Sequence, residues 1–414
     1  MSTRPSDLPR PRGGRATRAT AALALLAALS PLRAQQPTVE ERLQHLEFEN
    51  KELRALVDGL SAESATRAAA GAAAGDALSK LSVGGYGEFL FTWNAGAVDE
   101  ADALRSVVYL GYAFDERWSM TTEIEVEHAS SGANGEVALE MATIDYRASD
   151  DLDLRGGLLL VPMGIYNERH EPTTFLPTQR PETERRILPS TWRELGAGLR
   201  GRCDGWDYQL YAITGLDGAG YSAAGLRDGR QDGSKAAADD WAAVGALQRR
   251  LPCGVAVGGS AYFGNAGQDN LAGAARIPDL ATGIGEVHVE WTDGPLVARA
   301  LYASAWVDGA GEFAAATGTP LARRLEGLYV EGGYDVAPLL GVAEGGRITP
   351  FVRYEHVDTQ ARMPVGVAAD PRQDDEIWTV GVTFQPIDAV VIKIDYADWD
   401  HDTDRFTVGF GYAF

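Results

Sequence analysis

The sequence runs to 414 residues, 45% hydrophobic and 23% charged, with 37 Lys and Arg against 59 Asp and Glu and a net charge of −22. A chain this acidic is not built to hold nucleic acid or an anionic membrane surface, which require basic patches. Its two cysteines, Cys203 and Cys253, are too few for a disulfide framework.

Residues 1–34 read as a secretory signal peptide. Arg4, Arg10, Arg12, Arg15 and Arg18 make a basic leading region, Ala21 to Leu29 a short apolar core, and Leu32-Arg33-Ala34 a small-residue cleavage site. Removing it takes away six Arg and one Asp, which leaves the mature chain more acidic still. Beyond Ala34 no apolar run reaches the ~18 residues that a spanning helix needs. The exported chain is therefore periplasmic or secreted, or it crosses a membrane as strands.

Residues 35–60 carry a heptad seam. Val39, Leu43, Leu46, Asn50, Leu53, Val57 and Leu60 recur at alternating spacings of four and three, with Glu40, Glu41, Glu47, Lys51 and Arg54 outside. This predicts a short coiled-coil helix in the periplasm, in which Asn50 at an inward position fixes register and oligomer number. Residues 61–80, mostly Ala, Gly and Ser, read as a linker.

From Leu81 to Phe414 the period changes to two. Phe406, Val408, Phe410, Tyr412 and Phe414 alternate with Thr407, Gly409, Gly411 and Ala413, so an apolar face backs onto small residues. Similar segments are predicted near 81–93, 103–114, 118–129, 137–147, 152–163, 192–202, 206–215, 241–250, 255–264, 280–291, 295–306, 325–336, 347–357, 374–385, 389–399 and 405–414. Short turns such as Asp115-Glu116-Arg117 and Cys203-Asp204-Gly205 alternate with longer polar connections. That asymmetry predicts an all-β fold, a transmembrane antiparallel β-barrel of about 16 strands over 81–414, in the bacterial outer membrane. An even strand number returns both chain ends to the periplasmic side. Eight of nine tryptophans fall at or beside predicted strand ends, where interfacial girdles place them; Trp378 alone lies inside one. A soluble β-sandwich would put them mid-strand.

One connection stands out. Residues 165–194, IYNERHEPTTFLPTQRPETERRILPSTWRE, exceed what a hairpin needs and include prolines at 172, 177, 181 and 189. Long loops without secondary structure of their own are usually functional, and prolines lower the entropy cost of holding one shape. Such a loop after the fifth strand can fold inward and narrow a pore, or reach outward as a cap or a latch on a neighbouring barrel. The run Leu158 to Gly201 resembles the phosphate-selective porin O/P-type superfamily, and with the preceding coiled coil it is similar to porins carrying a periplasmic N-terminal helix. The resemblance implies a homotrimer of sixteen-stranded channels. Outer-membrane lipid, lipopolysaccharide and small solutes are the expected partners, with peptidoglycan a further one.

The charges temper one part of that implication. An anion filter needs excess Arg or Lys at the constriction. In the loop, Arg169, Arg180, Arg185, Arg186 and Arg193 face Glu168, Glu171, Glu182, Glu184 and Glu194 in equal number. Arg169, His170, Arg180, Arg185, Arg186, Glu168 and Glu171 are the candidate constriction residues. Candidate lumen residues are also mixed: Glu123 and Glu125 against Arg155, Arg200 and Arg353, with Glu88, Glu127, Glu286, Glu290 and Glu331 facing Arg299, Lys393 and Arg405. A transverse field of this kind suits passive diffusion of small hydrophilic solutes better than a phosphate channel, which stays as the alternative.

Two other functional classes place different demands on the chain. A barrel hydrolase needs a Ser/His/Asp set on one rim, but no GxSxG is present and the long loop offers Arg and Glu rather than a nucleophile. A structural tether to the cell wall would use the coiled coil alone. Neither enzyme activity nor a cofactor is expected: the GxGxxG match at Gly196–Gly201 sits inside a strand with no helix after it. His170 has no second His nearby and is read as no metal ligand, and Asp398, Asp400, Asp402 and Asp404 around His401 as solvated loop carboxylates. Cys203 and Cys253 fall in turns on the same side, where pairing and free thiols are both open.

Overall fold

The computed structural model describes residues 75–129, 132, 135–272, 275–342 and 345–414, with isolated helical positions from Glu40 to Thr66. The signal peptide and most of the heptad seam lie outside the described residues. Of the seam, Leu53 and Val57 are described, both helical and exposed. In the linker, positions 61–63, 66 and 75–79 are helical, which its alanines favour. The chain divides into two units at Ala74/Gly75, and the second is the barrel.

Sixteen strands form it: β1 (Leu81–Asn94), β2 (Glu100–Ala113), β3 (Trp118–Glu127), β4 (Glu136–Ser149), β5 (Leu152–Leu160), β6 (Arg193–Cys203), β7 (Trp206–Thr214), β8 (Trp241–Arg250), β9 (Val255–Asn265), β10 (Ala281–Asp293), β11 (Leu296–Val307), β12 (Arg324–Tyr334), β13 (Arg347–Arg362), β14 (Asp374–Ile387), β15 (Val390–Trp399) and β16 (Arg405–Ala413). Each pairs antiparallel with its sequence neighbours, and β1 pairs with β16 to close the ring. Closure leaves no edge strand, the condition for a sheet to cross lipid. No described helix is long and apolar enough to cross a membrane.

The surface is inverted relative to a soluble protein. Phe89, Phe91, Ile144, Leu210, Phe263, Val287, Val330 and Ile394 point outward and are exposed, whereas Glu88, Arg105, Glu286, Glu331, Arg353 and Lys393 are buried inside. Alternation places them there, apolar toward lipid and polar toward the lumen. At the closing seam Trp93 lies 5.5 Å from Phe406 and Phe91 6.2 Å from Phe410, ring centre to ring centre. Cross-strand aromatic pairs of this type set register. Because Phe414 carries on that stripe with its ring 70% exposed, its removal is expected to lower the yield of heat-modifiable barrel. A normal yield on a heated-versus-unheated gel would refute this role for the last residue.

Trp93, Trp118, Trp241, Trp291 and Trp306 sit at or near strand ends and face outward, as girdle residues do. Trp378 also faces outward, 4.8 Å from Tyr354. Trp192 departs from the expectation: it is fully buried, 5.0 Å from the Tyr262 ring inside the barrel.

Candidate functional site

β5 ends at Leu160 and β6 begins at Arg193, so the loop spans 161–192, and Arg193 and Glu194 belong to the wall. Its side chains and carbonyls contact lumen-facing residues of the wall. Its base is closed by Asn167, whose Nδ2 donates to the carbonyls of Val161 (2.7 Å) and Trp192 (2.8 Å) while Oδ1 accepts from Trp192 N (2.7 Å). One helical turn, α1 (Glu182–Arg186), presents Glu184 to Tyr166 N (2.8 Å), Ile165 N (3.1 Å) and the Tyr329 hydroxyl (2.8 Å). Burial pushes the Glu184 carboxyl up to about 7 against these three donors.

Wall residues hold the loop all round. Tyr109 on β2 donates to Glu171, Gln209 on β7 to Glu168, Arg299 on β11 to the Thr174 carbonyl and Arg353 on β13 to that of Gln179. Lys393 on β15 donates to the Pro177 carbonyl (2.8 Å), while Asp395 beside it accepts from Thr178 N and Oγ1 (2.5 and 3.0 Å). Even at ~1 kcal/mol net per bond, such a set outweighs thermal agitation and keeps the loop inside. Small wall residues give it room: a Cβ at Gly411 would stand 2.6 Å from the Pro172 Cβ.

The predicted constriction residues separate into two groups. Glu168, Arg169 and Arg185 are exposed to the lumen. Arg169 pairs with Glu290 (2.7 Å) and Arg185 with Glu182 (2.6 Å). Arg186 is drawn to Asp375 on β14 (2.6 Å), Glu171 is half-buried, and His170 is 2% exposed against the β3–β4 wall. Arg180 makes no salt bridge among the described residues, and its Nη1 is buried without a partner. The wall charges are paired locally rather than split between two walls of opposite sign. Arg155 binds Asp145 (2.7 Å) on the adjacent β4, Arg299 binds Glu331 (2.9 Å), Arg353 binds Glu355 (2.9 Å), and Arg105 lies 3.6 Å from Glu88 and 3.5 Å from Glu125. Arg200 stands 3.8 Å from Asp145, and Glu123 faces His170 at 3.4 Å. Cys203, the last residue of β6, and Cys253, in the β8–β9 turn, are free, exposed thiols.

A second inward loop escapes sequence reasoning. Residues 215–240 bury Leu216, Tyr221 and Leu226 and cross to β13, where the Thr359 hydroxyl and the Gln360 amide both donate to the Ala223 carbonyl. The loop brings Arg227 beside Arg230, Arg185 and Arg180, with its Nη1 donating to the Arg185 carbonyl, and sets Arg230 beside Asp232 and Arg193. Burial and the neighbouring Arg230, Arg185 and Arg180 charges lower Arg227 to about 9. Its length was the available signal; its Gly- and Asp-rich sequence reads instead as an exposed connection. A cavity of about 280 Å³ on that side is lined by Arg185, Arg186, Arg227 and Arg372 together with Asp228 and Asp402. Another of about 440 Å³ opens beneath the loop toward the rim of short turns, lined by Glu168, Arg169, Arg200 and Asp153.

Comparison with known proteins bears on this geometry. The family model for phosphate-selective porin O and P matches residues 227–407. An uncharacterised protein of Aquifex aeolicus is 30% identical over 355 residues, covering 81% of this chain and 80% of that one. Among solved structures, the trimer form of OmpT, an outer membrane protein of Vibrio cholerae, is 12% identical with a TM-score of 0.53, over 81% of this chain and 99% of that one. Salmonella typhi OmpF in complex with daunomycin is 12% identical with a TM-score of 0.52, over 81% and 97%.

Proposed function

Since the chain belongs to the phosphate-selective porin O and P family and is an outer-membrane porin, we propose that it works as a homotrimeric diffusion pore narrowed by the loop 161–192. The observation that carries this reading is the ring of wall bonds holding that loop across the lumen. Small hydrophilic solutes and ions pass it; the locally paired wall charges favour neither sign strongly. The heptad repeat of residues 35–60 favours a periplasmic N-terminal segment with peptidoglycan as a further partner, and the apolar barrel exterior favours lipid and lipopolysaccharide. The charge pattern favours permeation without catalysis.

One observation favours a second reading, a preference for anions at the mouth opposite the chain ends. Of the loop carboxylates, Glu184 is spent on backbone donors and Glu182 on Arg185, whereas Arg180 has a buried Nη1 without a partner and Arg227 stands among Arg230, Arg185 and Arg180. Anions entering there meet more arginines than carboxylates, Arg185, Arg186, Arg227 and Arg372 against Asp228, Asp375 and Asp402, an excess magnified in a narrow passage. The family's printed name includes phosphate, but this cluster needs no phosphate-specific ligand set and suits anions in general.

The test is planar-bilayer conductance of the full chain, with chloride and then phosphate as the anion, alongside light scattering in mild detergent. Conduction in steps of three and a trimeric mass are expected. A monomeric mass would sink the trimer, and an absence of steps would sink the pore.

A further inference from the structure

We infer that Glu123, Glu140 and His170 form a site for a divalent first-row transition ion, which clamps the loop 161–192 to the β3–β4 wall. All three are buried, at 1, 1 and 2% exposure, and each offers a ligand atom within 4.8 Å of the others. His170 Nε2 lies 3.1 Å from Glu140 Oε2 and 3.4 Å from Glu123 Oε1. A tetrahedral ion with bonds of about 2.0–2.1 Å holds its donors about 3.3 Å apart, so the two distances straddle that spacing.

The histidine is oriented for ligation. Its Nδ1 lies 2.9 Å from the Asn167 carbonyl, which can only accept, so Nδ1 carries the hydrogen. In the neutral ring that leaves the Nε2 lone pair aimed at the carboxylates. Metal-bound histidines are held by this kind of outer hydrogen bond.

The wall is also shaped for it. Along β3 and β4 the pairing runs Glu123 with Met141, then Ile124 with Leu139, and passes over Glu140. Glu140 is the extra residue of a β-bulge. The bulge breaks alternation so that Glu140 follows Met141 into the lumen, a use of bulges that recurs where a side chain must be re-aimed.

One atom points to a missing partner. Glu123 Oε1 is buried and accepts no hydrogen bond. A protonated His170 could supply a single N–H at Nε2, which serves Glu140 at 3.1 Å and leaves Glu123 Oε1 with only a long contact of 3.4 Å. A dication serves all three donors. Arg105 and Arg193 add positive charge nearby, yet Glu88, Glu125 and Glu136 take contacts from them as well. The nitrogen donor disfavours Ca²⁺ and Mg²⁺, and the lack of thiolate disfavours Cu(I), which leaves Zn²⁺ or a similar ion.

The experiment uses untagged full-length protein, stripped with chelator and titrated with Zn²⁺ against a competing indicator. One ion per chain is expected, with affinity reduced about 100-fold or more in His170→Ala and in Glu140→Gln. Heat-modifiable migration confirms that each variant is folded, and Glu140→Gln preserves shape should the His170 change disturb assembly. X-ray absorption at the zinc edge should show an imidazole in the first shell. Failure of the wild type to retain zinc, or equal affinity in all three proteins, would overturn the assignment.

Discussion

Deleting Pro172 to Pro189 is expected to raise single-channel conductance severalfold. Resistance in a pore concentrates at its narrowest section, and this segment carries the anchors to Arg299, Lys393, Asp395, Arg353 and Glu355 that hold the loop across the lumen. The strand ladder is untouched by the deletion, because neither β5 nor β6 reaches into it. Folding is checked by heat-modifiable migration and trimer content by light scattering on the same sample. Unchanged conductance from a folded trimer would mean that the narrowest section lies elsewhere.

Replacing Arg185 and Arg186 together with Ala is expected to shift ion preference toward cations by severalfold, read from the reversal potential across a KCl gradient. At an effective dielectric of about 20, a unit charge 4 Å from a passing ion is felt at about 4 kcal/mol, and a small fraction of that changes a permeability ratio severalfold. The two positions act differently. Arg185 is lumen-exposed and its loss leaves Glu182 unopposed; Arg186 is tied to Asp375, so its loss uncovers a wall carboxylate. Arg227→Ala should move preference in the same direction by a smaller amount, with no carboxylate released. A reversal potential unmoved in both variants would place these arginines off the ion path.

Most of the barrel was legible in the chain because lipid on one side and water on the other impose strict alternation on every strand. All sixteen predicted segments match strands, with differences at their ends. β13 runs on to Arg362, five residues past the predicted end, because Arg362 still pairs with Arg324 on β12. The long connection between the fifth and sixth strands was legible from its length and prolines. Pairing was not: alternation says that Arg299 and Glu331 face the lumen, but not that they meet at 2.9 Å and cancel. Glu140 was missed because a bulge inverts the facing that alternation assigns. Trp192 was read as interfacial from its place beside a strand, whereas its packing on Tyr262 depends on a chain reversal that no local pattern encodes.

If the loop lines the path of the ions, a thiol placed at Arg185 by Arg185→Cys sits in that path. With Cys203 and Cys253 changed to Ser, the new thiol is the only one in the chain. Single-channel current is recorded before and after adding a membrane-impermeant, charged thiol reagent. A drop in three discrete steps, one per pore, is expected as each thiol is modified. Current that stays constant while mass spectrometry shows the thiol fully modified would contradict it.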